Sequence, residues 1–283
     1  MISQQYQDNI NLILQKIREA DTIIVGGASG MSTANGHDFY GHSKYWIDNF
    51  SEFEKNYGVR GNFEALYYDY PTSEERWAYL SKHCTLMFDT PAGQTYKDLH
   101  KLIKDKNYFI ITTNQDMQFS KLFSEEKICL PQGDAHWLQC GRGCHDNIYP
   151  AEEIVRNMAR NIEDTRIPTE LIPRCPVCGG EMEPWIRSFV FLQGSFWEES
   201  INKYKKFLAE NAHKKVLFIE LGVGSMTPNI IKYPFTEMAY SWPNAFLVRI
   251  NKGEAPTHEN LKDKILTMDD NIAQVLSDLA SHI

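Results

Sequence analysis

Two short cysteine pairs, Cys140-x3-Cys144 and Cys175-x2-Cys178, lie in the middle of the chain and interrupt an alternation of helices and strands that resumes behind them. A tight Cys-x-x-Cys turn followed by Gly179-Gly180 suits tetrahedral zinc, and a second pair completes a closed set of four thiolates. A closed set leaves no open coordination position, so this zinc would hold shape and take no part in chemistry. His145 adjoins Cys144 and is an alternative fourth ligand; a redox dithiol at Cys175 and Cys178 is the alternative without metal. Cys84 and Cys129 stand alone in apolar surroundings and read as small buried side chains. Cysteine, glycine and proline concentrate between Asp134 and Pro184, around a polar helix at 151–162. The expected organisation is therefore a discontinuous main domain, 1–133 plus 188–283, with a small zinc-binding module at 134–187 inserted into it.

The flanks have the texture of a doubly wound sheet. Tyr6, Ile10, Ile13, Leu14 and Ile17 fall at helical spacing in a first helix over 4–20. A short strand at 22–25 follows, then a loop of small residues from Gly26 to Gly36. The stretch from Tyr40 to about His83 is aromatic-rich and mostly helical by pattern; a helical segment over about 40–90 is assigned to the main domain. A helix at 93–104 leads into Tyr108-Phe109-Ile110-Ile111-Thr112, a continuous β-rich run of the kind buried parallel strands carry. Ile128-Cys129-Leu130 reads as a short strand. Beyond the insert come a helix at 196–211, a buried strand at 216–221, the loop Gly222 to Pro228, a strand at 245–250 and a last amphipathic helix carrying Ile272, Val275, Leu276 and Leu279. The fold class expected is α/β: a Rossmann-like doubly wound parallel sheet with an inserted zinc-binding module and a helical segment.

Charge and hydropathy exclude other classes. The net charge is −8, with 29 Lys+Arg against 37 Asp+Glu and no basic stripe, so nucleic acid is not an expected partner. The short basic runs at Lys203–Lys206 and Lys214–Lys215 read as solvated faces of helix-like segments. No apolar run approaches the ~18 residues a membrane span needs, and the polar, amphipathic start does not look like a secretory signal. A cytoplasmic protein without a membrane partner is the expectation.

Three loops follow three of these strands. The Gly26–Gly36 loop would let backbone N–H groups approach a pyrophosphate closely. Thr112-Thr113-Asn114-Gln115-Asp116 and Gly222-Val223-Gly224-Ser225-Met226-Thr227-Pro228 follow the other two. Ligands of open α/β sheets bind outside the carboxyl ends of the strands, so the three loops define one expected cleft.

The ordered set Gly27-Ala28-Ser29-Gly30-Met31-Ser32, Gly36, Asp38-Phe39, then Thr112 to Asp116, the cysteine pairs, Gly222 to Pro228 and Ile250-Asn251 resembles a sirtuin over nearly the whole chain. The resemblance implies NAD as co-substrate and structural zinc. It implies that Asn114 and Asp116 face the nicotinamide ribose and carboxamide, and that Gly222, Gly224 and Ser225 hold the phosphate and ribose side. Asn251 would lie by the adenosine. Gly27, Ala28, Ser29, Gly30, Ser32, Asp38, Tyr40, Thr113, Gln115, Gln132 and Val223 complete the cofactor-binding set.

Departures from the family pattern set the expected activity. Deacylating sirtuins carry His-Gly after the third strand, where this chain has Gln132-Gly133. A glutamine amide has no basic nitrogen and orients ribose hydroxyls only by hydrogen bonds. His136 lies four residues on and is the alternative base. Arg187 interrupts the apolar segment that lines the family's acyl-lysine tunnel, where it would meet NAD phosphates or an acidic acceptor. His37-Asp38-Phe39-Tyr40 replaces the family's Ile-Pro-Asp-Phe-Arg, so the loop arginine is absent. Together these resemble the microbial class M sirtuins, which are associated with a macrodomain partner and a lipoyl-carrier protein. The resemblance implies protein mono-ADP-ribosylation, with Asn114, Asp116, Gln132 and Arg187 as the catalytic set and a lipoylated, glycine-cleavage-H-like protein as acceptor. A protein deacylase, an NAD glycohydrolase and a non-enzymatic NAD sensor are the rival readings.

Overall fold

A computed structural model describes residues 3–253, 261 and 263–283. In chain order the strands are β1 (Thr22–Gly27), β2 (Asn107–Thr112), β3 (Ile128–Cys129), β4 (Gly133–Cys140), β5 (Ile148–Pro150), β6 (Met182–Ile186), β7 (Val216–Leu221), β8 (Ala245–Ile250) and β9 (Ile265–Met268). The helices are α1 (Gln4–Glu19), α2 (Ser29–Ala34), α3 (Lys44–Tyr57), α4 (Asn62–Leu66), α5 (Ser73–Asp89), α6 (Gln94–Ile103), α7 (Glu152–Arg160), α8 (Ser195–Asn211), α9 (Lys232–Ser241) and α10 (Ile272–Ser281).

Six strands form one sheet in the order β3-β2-β1-β7-β8-β9, with every neighbouring pair parallel. Alternation within each strand sends consecutive apolar side chains to opposite faces. Ile23, Val25, Ile110, Leu217, Ile219 and Val248 meet the apolar stripes of α1, α6 and α10 on one face. Ile24, Phe109, Ile111, Phe218 and Leu247 meet Tyr204 of α8 and Phe235 of α9 on the other. The chain order reverses between β1 and β7, which is the switch point where the loops after two adjacent strands diverge and open a crevice. The main domain is thus the doubly wound parallel sheet that the two flanks imply.

The expected elements move by a residue or two in most places. The Gly26–Gly36 stretch is the exception: Gly26 and Gly27 extend β1, and Ser29 to Ala34 are helical. Lys203 to Lys206 lie on α8, whereas Lys214 and Lys215 fall beyond it in a turn and coil.

The insert carries a second, antiparallel sheet in the order β5-β4-β6, with α7 between its outer segments. Its apolar residues share one core with the helices of 44–89: Trp46, Phe50, Phe53, Trp77 and Leu80 are buried together with Leu138, Val155, Met158, Ile172 and Met182. The indole of Trp77 donates to Glu181 at 2.8 Å, and Arg76 pairs with Glu183. Sequence places the helical segment with the main sheet, while its buried side chains pack with the insert. Among the described residues no helix is long and apolar enough to cross a membrane.

Candidate functional site

The switch point is built by close backbone contact between two loops. The Gly30 N–H donates to Gly222 O at 3.1 Å, and the Gly222 N–H donates to Ile250 O at 3.0 Å. A Cβ on Gly30 would lie 2.7 Å from the Gly222 Cα, and one on Gly222 would lie 2.4 Å from the Met31 nitrogen. Gly222 also has φ +65, a left-handed backbone that favours glycine. Neither position tolerates a side chain, so the loops after β1 and β7 are clamped where a dinucleotide would cross.

The loop after β2 is tied to the same place. Thr112 Oγ1 donates to Gly27 O at 2.9 Å, and the Thr113 N–H donates to Gly27 O at 3.1 Å. Asn114 Nδ2 donates to Ala28 O at 3.1 Å and to the Tyr96 hydroxyl at 3.3 Å. The Tyr96 hydroxyl donates to Asp116 Oδ2 at 3.2 Å, and Ser32 Oγ donates to the same oxygen at 2.6 Å. The Gln118 N–H completes the carboxylate shell at 3.1 Å on Oδ1. Asp116 is 4% exposed. Burial raises its pKa above the ordinary carboxylate value, although Ser32, the Gln118 N–H, Tyr96 and nearby His37 all pull the other way. Met117, directly after it, has φ +58, an uncommon conformation for a residue with a side chain. These bonds hold Asn114 and Asp116 in one geometry before any ligand arrives, as a preorganised polar site requires.

Gln132 enters from the third strand end. The backbone there meets β6: the Arg187 N–H donates to Gln132 O at 2.9 Å. A Cβ on Gly133 would lie 2.0 Å from Trp185 O, so glycine is required for this approach. The result is a cleft of about 330 Å³ that gathers Ala28, Ser29, Ser32, Tyr40, Thr113, Asn114, Gln115, Asp116, Gln132, Arg187 and Gly224. Met226 and Thr227 of the loop after β7, Phe39, and Asn62, Phe63, Tyr67 and His83 of the helical segment complete the lining. The sequence did not single out Asn62, Phe63, Tyr67 or His83, because only tertiary packing brings them to the strand ends.

Other expected cofactor residues are not among those that line the cleft. Gly27 packs beneath Phe119, and Gly30 and Gly222 meet each other. Val223 is buried in the sheet's core, and its carbonyl accepts from Asn251 Nδ2 at 3.3 Å. Asp38 Oδ1 accepts from the Tyr40 N–H at 3.0 Å, shaping the loop before the helical segment. Ser225 is exposed in the loop after β7.

His136 is not among the residues that line this cleft. It lines a second cavity of about 220 Å³ that shares Asn114 and Asp116 with the cleft and is otherwise walled by Phe119, Leu130, Trp137, Trp185 and Phe196. Its Nδ1 lies 2.8 Å from the buried carboxylate of Asp134. Burial lowers its pKa, but the hydrogen bond and charge of Asp134 and the charge of Glu125 outweigh that, so the net shift is upward.

The four cysteines of the insert converge. The Sγ atoms of Cys140, Cys144, Cys175 and Cys178 all lie within 4.8 Å of one another, with Cys140–Cys178 and Cys144–Cys175 at 3.6 Å. Tetrahedral Zn–S bonds of about 2.3 Å imply S···S edges of about 3.8 Å. The Gly179 N–H donates to Cys175 O at 2.9 Å, closing the turn that presents both thiols. His145 Nε2 also approaches Cys175 Sγ, at 3.3 Å, and holds Tyr149 OH at 3.2 Å. The donor set fits a structural zinc ion held by four thiolates.

Comparison with known proteins agrees with this geometry. No protein-family model matches the chain. It is similar to a Protein ADP-ribosyltransferase of Staphylococcus aureus (strain Mu50), 31% identical over 265 residues, which are 92% of this chain and 84% of that protein. It is also similar to a Probable bifunctional ADP-ribose hydrolase/ADP-ribosyltransferase of Fusarium oxysporum f. sp. cubense, 24% identical over 87% of this chain and 43% of that longer protein. Among solved structures, a Sir2 homolog–NAD complex superposes with a TM-score of 0.62 at 15% identity, covering 96% of this chain and 93% of that one. A structure on the basis of sirtuin substrate affinity gives a TM-score of 0.63 at 18% identity, covering 100% and 99%. A parallel sheet with its switch-point cleft, a four-cysteine module and these relatives lead to one conclusion: the chain belongs to the sirtuin family of NAD-dependent enzymes.

Proposed function

We propose that this chain is a protein mono-ADP-ribosyltransferase, carrying ADP-ribose from NAD to a protein acceptor and releasing nicotinamide. The observation that carries this reading is Gln132. It lines the cleft with Asn114 and Asp116, and in the family's sequence pattern it stands where deacylating sirtuins carry the histidine that serves as base. No histidine nearby takes that place in the cleft. His136 lines the other cavity, and His37, close to Asp116, is not among the residues that line the cleft. His83 does line the cleft, but burial lowers its pKa to about 4, which makes it a weak base near neutrality.

Bound NAD supplies an ADP-ribosyl group whose bond to nicotinamide is the one to break. The chain's own residues position that bond and stabilise the charge that changes there. The clamp of Gly30 on Gly222 lets the backbone approach the dinucleotide. Asn114 is aimed by Ala28 O and Tyr96 and orients the ribose. Asp116, held by Ser32 and the Gln118 N–H, accepts from the carboxamide. Gln132 holds ribose hydroxyls without removing a proton. Arg187 is exposed at the cleft edge, with its guanidinium 5.8 Å from the Phe191 ring, and is free to meet phosphate or an acidic acceptor.

The acceptor we propose is a lipoylated, glycine-cleavage-H-like carrier protein, on the strength of the class M resemblance. A macrodomain protein that removes ADP-ribose is the proposed partner. The printed name of the Fusarium relative, which couples an ADP-ribose hydrolase to an ADP-ribosyltransferase, supports that pairing.

Asn114→Ala and Asp116→Asn test the site. Each should keep the fold and lower nicotinamide release from NAD by roughly a hundredfold, the scale seen when one preorganised polar group is removed. Release at the wild-type rate from either variant would remove that residue from the reaction.

A further inference from the structure

The helical wall of the cleft carries two buried polar atoms that have no hydrogen-bond partner among the described residues. Asn62 Nδ2 and His83 Nδ1 are both without a hydrogen bond, and the two residues are 2% and 8% exposed. Both residues line the NAD-side cleft, while the two atoms themselves are closed to solvent, so a ligand pairs them once either side chain turns toward the cleft. Tyr70 OH and Thr85 Oγ1 also lack partners among the described residues, but neither lines it. The two cleft residues flank one side chain. The Tyr79 hydroxyl donates to Asn62 O at 2.9 Å and to Asn62 Oδ1 at 3.3 Å, which leaves the amide nitrogen as the free end. The Tyr79 ring stacks on His83 at 5.6 Å with 10° between planes, and Phe39 meets His83 edge-on at 5.9 Å. Phe63, Leu66 and Met87 supply the apolar surroundings. Buried polar groups are almost always paired, and an unpaired one carries a desolvation cost that nothing offsets. Two of them on one wall of a ligand cleft point to a ligand that pairs them.

We propose that Asn62 and His83 form an uncharged hydrogen-bonding subsite that receives a neutral donor–acceptor group, a carboxamide or a hydroxyl, from one of the two reactants. This rests on the reading of the cleft as the NAD and acceptor site. Burial holds the imidazole neutral, so it gives an anion no charge to pair with. The aromatic and aliphatic walls make an ammonium or a carboxylate costly to bring in. A carboxamide accepts from the Asn62 amide and, through its own N–H or its second lone pair, satisfies either tautomer of His83; a hydroxyl does the same. The strand-end loops reach the dinucleotide from the other wall, so this subsite sets which polar group is tolerated opposite them.

His83→Phe is the informative substitution, because it keeps the ring and removes the nitrogen. Replacing an unpaired buried polar group by an apolar one of similar shape should leave the melting temperature unchanged or raise it. It should weaken binding about tenfold or more for whichever reactant occupies the subsite. Two probes separate the sources: non-cleavable carba-NAD, and acetamide added to the carba-NAD complex, with acetate as the charged control. Loss of carba-NAD affinity assigns the group to the dinucleotide. Unchanged carba-NAD affinity with loss of acetamide binding assigns it to the acceptor. The ¹⁵N shift of the wild-type His83 Nδ1, followed on adding each probe, reads the same contact without any substitution. Unchanged affinity for both probes would overturn the proposal whatever the melting temperature, as would an Nδ1 signal indifferent to both probes or acetate binding as well as acetamide. Failure of the wild type to release nicotinamide from NAD would instead refute the transferase reading, and the probe titrations would still be interpretable.

Discussion

At the scale of single residues, function turns on which polar groups share the cleft. In the proposed reading Gln132 is a hydrogen-bonding group where acyl transfer needs a base, and general-base assistance is typically worth about 100- to 10,000-fold. Acyl-lysine peptide turnover should therefore be slow to undetectable. Gln132→His should recover acyl-ADP-ribose formation only in part, because Arg187 stands at the same edge of the cleft; Gln132→His with Arg187→Val should recover more. Deacylation by the wild type at the rate of ordinary deacylating sirtuins would defeat this account. His136 gives a separate test. Its folded-state pKa is raised by Asp134 and Glu125 against burial and Lys121, so its contribution to stability is present below the unfolded value near 6.5 and fades as pH rises through the folded value. Imidazole titration by NMR should give a midpoint above 6.5 in the wild type and a lower one in Asp134→Asn. An unchanged midpoint in that variant would mean the pair has no effect on the imidazole. The cleft gathers Asn114 and Asp116, which the sequence marked because their loop directly follows a strand, and Gln132, which only the family pattern marked. Asn62 and His83 could not be named, since nothing in their local pattern distinguishes them from ordinary helix residues.

At the scale of elements, the continuous apolar runs of β1, β2, β7 and β8 announced a buried parallel sheet. The four-residue β9 did not, because it is a short edge strand, buried only at Met268 and defined by pairing with β8. Nor did the pairing of Glu220 with Arg249. The two stand opposite each other in β7 and β8, are fully buried, and bond through two parallel contacts of 2.9 Å. A charge inside an apolar run reads as a flaw until the register places its partner beside it. The cysteine turns were the most legible element of all, since their chemistry is local. Structural zinc contributes directly to folding, so Cys175→Ser should yield metal-free, aggregation-prone protein, and elemental analysis of the wild type should find one zinc per chain. Protein purified without chelator that contains no zinc would contradict the assignment.

At the scale of the whole molecule, the cleft lies where two structural layers meet. One wall is the switch point of the parallel sheet; the other is the helical segment, whose core is shared with the zinc module. Loss of zinc would therefore reach the cleft through Trp77, Leu80 and their neighbours, although no cysteine of the metal set lines it. The central claim is that this architecture moves ADP-ribose onto a protein. It is tested most directly by incubating the enzyme and a lipoylated carrier protein with NAD labelled in the adenine and, separately, in the nicotinamide. The account predicts adenine label fixed on the carrier in step with nicotinamide released, with no nicotinamide label on protein and little free ADP-ribose or acyl-ADP-ribose. Nicotinamide release matched by free ADP-ribose, with no labelled protein, would contradict it and make the chain a glycohydrolase.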